Sequence, residues 1–168
     1  MKINCNKKIF NKKYLNKINT ALDFAIRYLN IPCADLEMDI NFVSSREIAD
    51  LNSEFRNKNT ETDVLSFPTL LAMGDDFSVI CDKLTKENYP MDINPYTGNI
   101  VIGSICICKK VAYAHAKEYG NTKLREIVYM AVHGFLHLLG FDHMNDEDKK
   151  LMREKEEDIL TSVNLRRE

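Results

Sequence analysis

The sequence lacks several features that would assign it to a class at once. Its formal net charge is −2, so a nucleic-acid site would have to be a local basic patch rather than a global positive field. It contains no apolar run approaching the roughly 20 residues of a membrane-spanning helix, and we expect no contact with a membrane. It also contains no repeats and no low-complexity tract. With 168 residues, 45% of them apolar and 29% charged, the chain is predicted to form one soluble domain over residues 1–168.

The cysteines do not suggest a disulfide framework. Their number is odd, their spacing is irregular and no secretory signal precedes them, which predicts reduced thiols in a cytoplasmic protein. Cys106 and Cys108 have no second cysteine pair with which to complete a metal site, and we interpret them as small buried side chains.

The N-terminal segment is basic. The first 22 residues contain six lysines and no acidic residue. We interpret them as the solvated face of a helix, with a phosphate-attracting patch as the alternative.

Hydrophobic periodicity predicts alternating helices and strands in the first two thirds of the chain. Apolar residues recur at helical spacing over Tyr14–Ile31, and Ser44 with Glu47 forms a capping box that starts a second helix. Three segments have the composition of strands. They are Leu36–Val43, Thr62–Pro68 and Gly98–Ser104.

Helices dominate the last third. One is predicted near 105–119 and ends at Gly120, a second follows a cap at Asn121 or Thr122 and runs to Gly140, and a third begins at Asn145 or Asp146. The whole pattern predicts an α+β fold: one domain, with a small mixed β-sheet of about four strands covered by helices. Residues 70–97 have no clear period and are interpreted as a long insertion or loop containing a short helix near 77–87.

Three of the four histidines lie within eleven positions, in "VHGFLHLLGFDH". His133 and His137 are four residues apart, so on a helix they share one face about 6 Å apart along the axis. A continuous helix would carry His143 away from them, but Gly140 can end the helix in a left-handed conformation and turn the chain back. Three neutral imidazoles with one open position form a typical catalytic zinc site.

An isolated pair of histidines at this spacing would more often be ordinary core or surface residues. The helix period, the glycine stop and the third histidine agree with one another, and together they predict a zinc site with one ion. Asp142 lies beside the third ligand and could orient an imidazole N–H, although its simpler role is that of a turn residue.

The histidine spacing also matches that of the metzincin proteases, whose metal ligands lie on one helix. Those enzymes carry a glutamate directly after the first histidine as the general base. Here that position is Gly134, which cannot accept a proton, and this argues against proteolysis.

Two blocks of sequence resemble a known family. "HGFLHLLGFDH" resembles the signature of the YbeY family, bacterial rRNA-maturation factors described as metal-dependent, single-strand-specific endoribonucleases. "LNSEFRNKNTETDVLSFP", at residues 51–68, resembles a second block of that family, and "GNIVIG" resembles one of its strands. The similarity runs from about residue 35 to 160.

The resemblance implies a function and a set of site residues. It implies that His133, His137 and His143 bind zinc and that Arg56 is a functionally important arginine. A guanidinium near the metal can hold a phosphate bidentately and stabilise developing charge, whereas alone Arg56 would be a cation at a helix end. Thr62, Asp63 and Ser66 match a stretch that could line the cleft, with local turn and strand hydrogen bonding as the simpler reading.

The resemblance further implies hydrolysis of single-stranded RNA in rRNA processing, including maturation of the 16S rRNA 3′ end and ribosome quality control, with the small ribosomal subunit and its proteins as partners. Whether water or the RNA 2′-OH attacks stays open. Phe55, Phe67 and Phe141 could stack on bases, although core packing accounts for each. Asn99 departs from the aspartate usual in the family.

Two other functions remain alternatives at this point. A zinc metallopeptidase is suggested by the ligand spacing and opposed by Gly134. A non-catalytic ribosome assembly factor would use zinc only to fix the fold, and the predicted open coordination position opposes it.

Overall fold

The structure is a computed structural model that describes residues 1–6, 11–70, 77–142 and 145–167. Within these residues the chain forms four strands, six α-helices and a 3-10 helix at Pro90–Asp92. The strands are β1 Lys2–Cys5, β2 Leu36–Val43, β3 Val64–Pro68 and β4 Ile100–Cys108. The helices are α1 Lys12–Tyr28, α2 Ser45–Arg56, α3 Phe77–Lys83, α4 Lys109–Glu118, α5 Lys123–Leu138 and α6 Asp146–Ser162. No helix in the described part of the chain combines the length and the apolar character needed to cross a membrane.

The strands form one mixed sheet in the order β1-β2-β4-β3. β1 pairs with β2 and β2 with β4 in parallel, while β3 runs antiparallel to β4 at the edge. The predicted α+β fold with a small mixed sheet of four strands covered by helices is therefore confirmed.

The two faces of β4 carry different helices. Ile105 and Ile107 belong to the main core, and Ile105 lies against Gly134 of α5. Cys106 and Cys108 alternate with them and belong to a smaller cluster with Ile48 of α2. Because successive side chains of a strand point to opposite faces, α2 and α5 cover opposite sides of the sheet. Both cysteines are buried, as the sequence predicted.

The helix that carries the predicted ligands runs through the core. α5 packs against α1, α4, α6, β3 and β4. Most of its residues between Arg125 and Leu138 are buried, including Phe135 with no exposed surface. Packing on several sides fixes the rotation of the helix, and this in turn fixes the direction in which His133 and His137 point.

Two predictions near the strands are wrong. Residues 2–5 form an edge strand that pairs with β2 in parallel, so the interpretation of the basic N-terminal segment as a helix face is wrong there and is confirmed from Lys12, where α1 begins. β4 continues through Ile105–Cys108, where the sequence suggested the start of a helix, because pairing with both β2 and β3 holds these residues in the sheet.

The segment 70–97 contains more regular structure than a loop. A helix at Phe77–Lys83 confirms the short helix predicted near 77–87, and the 3-10 helix and a bridge between Ile93 and Ile100 follow it. Residues 71–76 lie outside the described part of the chain, and the prediction that the whole segment is an insertion stays a prediction.

A buried carboxylate fixes the turn that leads into β4. The Glu37 side chain on β2 is 4% exposed and accepts hydrogen bonds from Thr97 Oγ1 at 2.5 Å, Asn4 Nδ2 at 2.7 Å, Asn94 Nδ2 at 3.2 Å and Lys2 Nζ at 3.3 Å. Burial alone would raise the pKa of Glu37, but the hydrogen bonds from Thr97, Asn4 and Lys2 outweigh it and lower that pKa below 4.5. The ionised carboxylate therefore stabilises the folded state.

We expect Glu37→Gln to lower the free energy of unfolding at pH 7 by about 1–3 kcal/mol, because the amide cannot accept from four donors. A carboxyl group whose pKa is lowered by folding stabilises the protein above its unfolded pKa, and this contribution is lost as the pH falls through the folded pKa. The difference between variant and wild type should therefore shrink below about pH 4, which urea titrations at several pH values would measure. A difference independent of pH would show that the charge of Glu37 is not responsible.

Candidate metal and RNA site

The end of α5 has the turn that the sequence predicted. Leu139 caps the helix and Gly140 follows with φ +88°, in the left-handed region that glycine adopts readily. Gly140 N–H donates to His137 O and Phe141 N–H donates to Leu136 O, both at 3.1 Å. These two hydrogen bonds form a Schellman motif, which turns the chain back over the last turn of the helix.

His133 and His137 point to the same place. Their Nε2 atoms lie 3.1 Å apart and their ring planes are nearly perpendicular, at 86°. Two nitrogens bound tetrahedrally to one zinc ion at 2.0–2.1 Å would be separated by about 3.3 Å. The distance between the two Nε2 atoms is therefore close to the distance between two nitrogens that bind the same zinc ion.

The other ring nitrogen of each histidine is held by the protein. His137 Nδ1 lies 2.8 Å from Phe141 O, and a backbone carbonyl can only accept, so Nδ1 carries the proton. His133 Nδ1 lies 2.6 Å from Oε1 of Glu156. If both Nδ1 atoms donate, both Nε2 atoms present lone pairs to one point, which suits a cation.

Glu156 was not predicted from the sequence. It lies on α6, 23 residues from His133, and only 2% of the residue is exposed. A signal for it does exist in the sequence. The buried residues of α6 are Met152, Glu156, Ile159 and Leu160, so the glutamate occupies a position in the apolar stripe of that helix. The sequence also predicted an orienting role for Asp142, beside His143; Asp142 is exposed, and its role stays a prediction.

The third predicted ligand, His143, lies outside the described residues. Among residues 1–6, 11–70, 77–142 and 145–167, no group of three histidine, cysteine or acidic side chains is arranged to hold a metal ion. The three-histidine site therefore stays a prediction, and the described part of it is the pair at the end of α5.

Arg56 is the last residue of α2. Its side chain is exposed, and the next residue, Asn57, adopts a left-handed conformation that ends the helix. No contact within the described part of the chain links Arg56 to His133 or His137, so its catalytic role also stays a prediction.

The other predicted cleft residues surround β3. Ser66 pairs with Ile105 across the sheet and so lies on the face that α5 covers. Asp63 Oδ1 accepts from Val64 N–H at 2.9 Å and from Thr62 Oγ1 at 3.2 Å, and its Oδ2 lies 3.3 Å from His115 Nδ1. Thr62 and Asp63 thus have the local hydrogen bonds that the sequence suggested as their simpler role, and their part in a cleft remains a prediction.

Gly134 is explained by packing. A Cβ at this position would lie 2.8 Å from Ile105 Cγ2 and 3.2 Å from its Cδ1. Position 134 therefore faces the sheet, and any side chain there would collide with β4. The position that carries the general base in metzincins points into the core here, which is a second argument against peptidase chemistry.

The surface beside His133 is basic and aromatic. A cavity of about 490 Å³ is lined by His133, Glu156, Tyr129, Arg153 and the adjacent lysines of α6, Lys149 and Lys150. Burial, together with the charge of Glu156, raises the pKa of Tyr129, so its phenol stays protonated at neutral pH. Such a surface suits an anionic ligand with a planar group.

The three phenylalanines considered for base stacking have different environments. Phe141 is 3% exposed and belongs to the core, where it completes the Schellman turn. Phe55 is 59% exposed and packs edge-on against Phe67 with ring centroids 5.1 Å apart. Both lie on the α2 side of the sheet, away from the histidines.

Comparison with known proteins gives one consistent result. A family model described as Endoribonuclease YbeY matches residues 2–164. A protein named endoribonuclease YbeY from Clostridium botulinum (strain 657 / Type Ba4) is 38% identical over 166 residues, which cover 96% of this chain and 95% of that protein. One of the same name from Clostridium tetani (strain Massachusetts / E88) is 38% identical over 152 residues, covering 89% of this chain and 87% of the relative.

A solved structure is also similar. The solution structure of TM1509 from Thermotoga maritima has 26% sequence identity and a TM-score of 0.59, and the match covers 96% of this chain and 88% of that one. The resemblance seen in the two sequence blocks is thus confirmed along nearly the whole chain. The protein belongs to the YbeY family of endoribonucleases.

Proposed function

We propose that the protein is a zinc-dependent endoribonuclease that cleaves single-stranded RNA. Endonucleolytic action on RNA is supported by family membership. The zinc is supported by one observation above all: His133 Nε2 and His137 Nε2 lie 3.1 Å apart while each Nδ1 is hydrogen bonded elsewhere.

The chain's own residues would prepare the site before the ion binds. Glu156 and the carbonyl of Phe141 hold the two rings in the tautomer whose Nε2 can donate a lone pair. His143 follows the turn at Gly140 and would supply the third nitrogen. A zinc ion held by these histidines would act as a Lewis acid toward the phosphate that is cleaved.

Arg56 is proposed to bind the phosphate of the RNA. Its side chain is exposed at the end of α2, and a guanidinium can donate two parallel hydrogen bonds to phosphate oxygens. Ser66, on the α5 face of the sheet, and Asp63 and Thr62 before β3 would line the path of the strand. Asp142, exposed after the turn, would be a further polar group at the edge of this path.

The biological setting follows from the resemblance and is a proposal as well. We infer a cytoplasmic protein that acts in rRNA processing, including maturation of the 16S rRNA 3′ end, and in ribosome quality control. The small ribosomal subunit and its proteins would be the partners. An RNA substrate is supported by the basic residues beside His133, since the net charge of the chain gives no attraction to RNA by itself.

Removal of the metal tests the proposal. We expect a labelled single-stranded RNA to be cleaved by the purified protein, cleavage to cease after chelation, and zinc to restore it, because the proposed Lewis acid would be absent and then returned. Gel analysis of the products, with magnesium as a control for simple charge screening, would measure this. Undiminished cleavage by protein shown to be free of metal would exclude the mechanism. Casein digestion with added zinc tests the peptidase alternative, and we expect none.

A further inference from the structure

A second, larger cavity lies next to the histidine pair. It has a volume of about 660 Å³ and is enclosed by α4, α5, α6 and the C-terminal residues. Tyr129 and Arg153 line both this space, which we call the α5 cavity, and the smaller cavity that contains His133. The Tyr129 and His133 ring centroids are 5.8 Å apart, so a ligand in the α5 cavity would be a close neighbour of the proposed metal. The volume lies within the range of small-molecule sites.

A carboxylate with few hydrogen bonds lines the α5 cavity. Glu126 is 3% exposed, and within the described residues its one hydrogen bond comes from Asn121 Nδ2, at a long 3.3 Å. Burial raises the pKa of Glu126, and the hydrogen bond from Asn121 only partly offsets this effect. A buried carboxylate normally accepts several hydrogen bonds, so Glu126 is suited to a ligand that brings N–H donors.

The preceding residue, Arg125, has a hydrogen-bond donor that lacks an acceptor in the described part of the chain. Arg125 lines the same cavity, is 4% exposed, and donates through one terminal nitrogen to both oxygens of Glu157 at 2.9 Å. Its Nε is buried and has no hydrogen-bond partner in the described part of the chain. Arg125 therefore holds a buried, unused donor, and Glu126, next to it in sequence, holds an under-occupied acceptor.

A planar ligand with an anionic group suits the part of the cavity lined by Tyr129, Arg153 and Arg167, whereas Asp63 and His115 line another part of it. Tyr129 offers a half-buried ring as a stacking surface, and the guanidinium carbon of Arg153 lies 5.9 Å from the centre of that ring. Arg153 and Arg167 are exposed, and both can turn toward a phosphate without unpacking the core, although Arg167 would have to leave Glu157, whose Oε1 lies 3.1 Å from its Nε.

We propose that the α5 cavity binds one nucleotide of the RNA beside the cleavage site and selects guanine through Arg125 and Glu126. This proposal rests on the proposed function for its RNA substrate. The pairing edge of guanine carries an acceptor, O6, followed by two donors, N1–H and the 2-amino group. An Arg125 side chain turned toward the cavity would offer its Nε–H to the acceptor, and the Glu126 carboxylate matches the two donors. Uracil presents a carbonyl where guanine has the amino group, and that oxygen would face the carboxylate.

Mononucleotide binding tests the proposal without any cleavage. The protein, as purified, would be titrated with guanosine monophosphate and with uridine monophosphate by calorimetry. We expect the guanine nucleotide to bind about tenfold more tightly, the effect of one well-made base contact pair. The ratio should persist after chelation, because the base and not the metal makes the distinction. Equal affinities, or no saturable binding of the guanine nucleotide, would overturn the proposal.

Two variants assign the selectivity to named residues. Glu126→Gln should lower the affinity for the guanine nucleotide about tenfold and reduce the guanine-to-uracil ratio to about two or less, because the amide offers one acceptor instead of two. Arg153→Gln should weaken both nucleotides by a similar factor and leave the ratio unchanged. The matched control is Glu118→Gln, the same change at an exposed position of α4, which should alter neither value.

The outcomes separate this proposal from the proposed function. If thermal melting shows that Glu126→Gln does not fold, the ratio of guanine to uracil nucleotide affinity in the wild-type protein still tests the proposal. A guanine preference in a protein that cleaves no RNA would support the guanine site and contradict the proposed nuclease activity. Zinc-dependent cleavage with no preference among mononucleotides would support the proposed nuclease activity and contradict the guanine site.

Discussion

Replacing His137 with alanine is expected to leave the folded protein without bound zinc and without RNA cleavage. The imidazole is proposed to be one of three protein ligands, and two ligands seldom retain a catalytic zinc ion. The substitution also removes the hydrogen bond from Nδ1 to Phe141 O, which links the end of α5 to the turn that precedes His143. Elemental analysis should show a fall from about one zinc per chain to about none, and cleavage of labelled single-stranded RNA should fall to background.

The control is His115→Ala. His115 lies on α4, where its Nδ1 is 3.3 Å from Asp63 Oδ2, and it is remote in sequence from the proposed ligands. Zinc content should be unchanged in this variant, which shows that the loss is specific to the pair on α5. Normal zinc content and normal cleavage in His137→Ala would refute the proposed site.

Arg56→Gln should slow RNA cleavage without removing zinc. The residue is exposed at the end of α2, so the fold and the zinc content should be unaffected. Loss of a guanidinium that stabilises charge in the transition state typically lowers turnover about 100-fold or more. Single-turnover cleavage at saturating zinc would measure the change. Turnover equal to that of the wild type would contradict a catalytic role for Arg56 and leave it only the role of a cation at a helix end.

Local signals predicted most of the elements that position the site. β2 was predicted with its exact bounds at Leu36–Val43, and the capping box of Ser44 and Glu47 starts α2 as expected. The left-handed Gly140 was predicted because glycine at a helix end has a direct backbone consequence. What these features share is that the cause lies within a few residues of the effect.

The wrong predictions concern pairing between distant segments. β1 has four residues and only one partner strand, and nothing within Lys2–Cys5 distinguishes it from the basic helix predicted there. β4 continues to Cys108 because β2 and β3 pair with it on both sides, which a local reading of the sequence cannot detect.

Prediction of the site residues was limited in the same way, because local sequence patterns do not detect contacts between distant segments. His133 and His137 are found by helical spacing alone, whereas the carboxylate that orients His133 comes from α6. The signal for it was Glu156 itself, an acidic residue at an apolar position of a helix, because burial of a charge requires a partner.

That partner gives Glu156 a specific role as a positioning residue. Its Oε1 lies 2.6 Å from His133 Nδ1, and the glutamate side chain is 3% exposed. An ionised acceptor at this position fixes the ring and makes Nε2 a stronger ligand, and removal of such a partner typically costs 10–100-fold in metal affinity. Glutamine has nearly the same shape and can still accept through its amide oxygen, so Glu156→Gln removes the charge while retaining the packing.

We therefore expect Glu156→Gln to weaken zinc binding about 10–100-fold, measured by competition with a chelator of known affinity. Glu154→Gln, the same change at an exposed position one half-turn earlier on α6, should bind zinc like the wild type. Thermal melting of the metal-free proteins separates positioning from stability. If Glu156 only stabilises the packing of α5 on α6, the metal-free variant will melt at a lower temperature and its zinc affinity will be unchanged. If it positions His133, the variant will instead show a smaller rise in melting temperature when zinc is added, because stabilisation by a ligand falls as its affinity for the folded state falls.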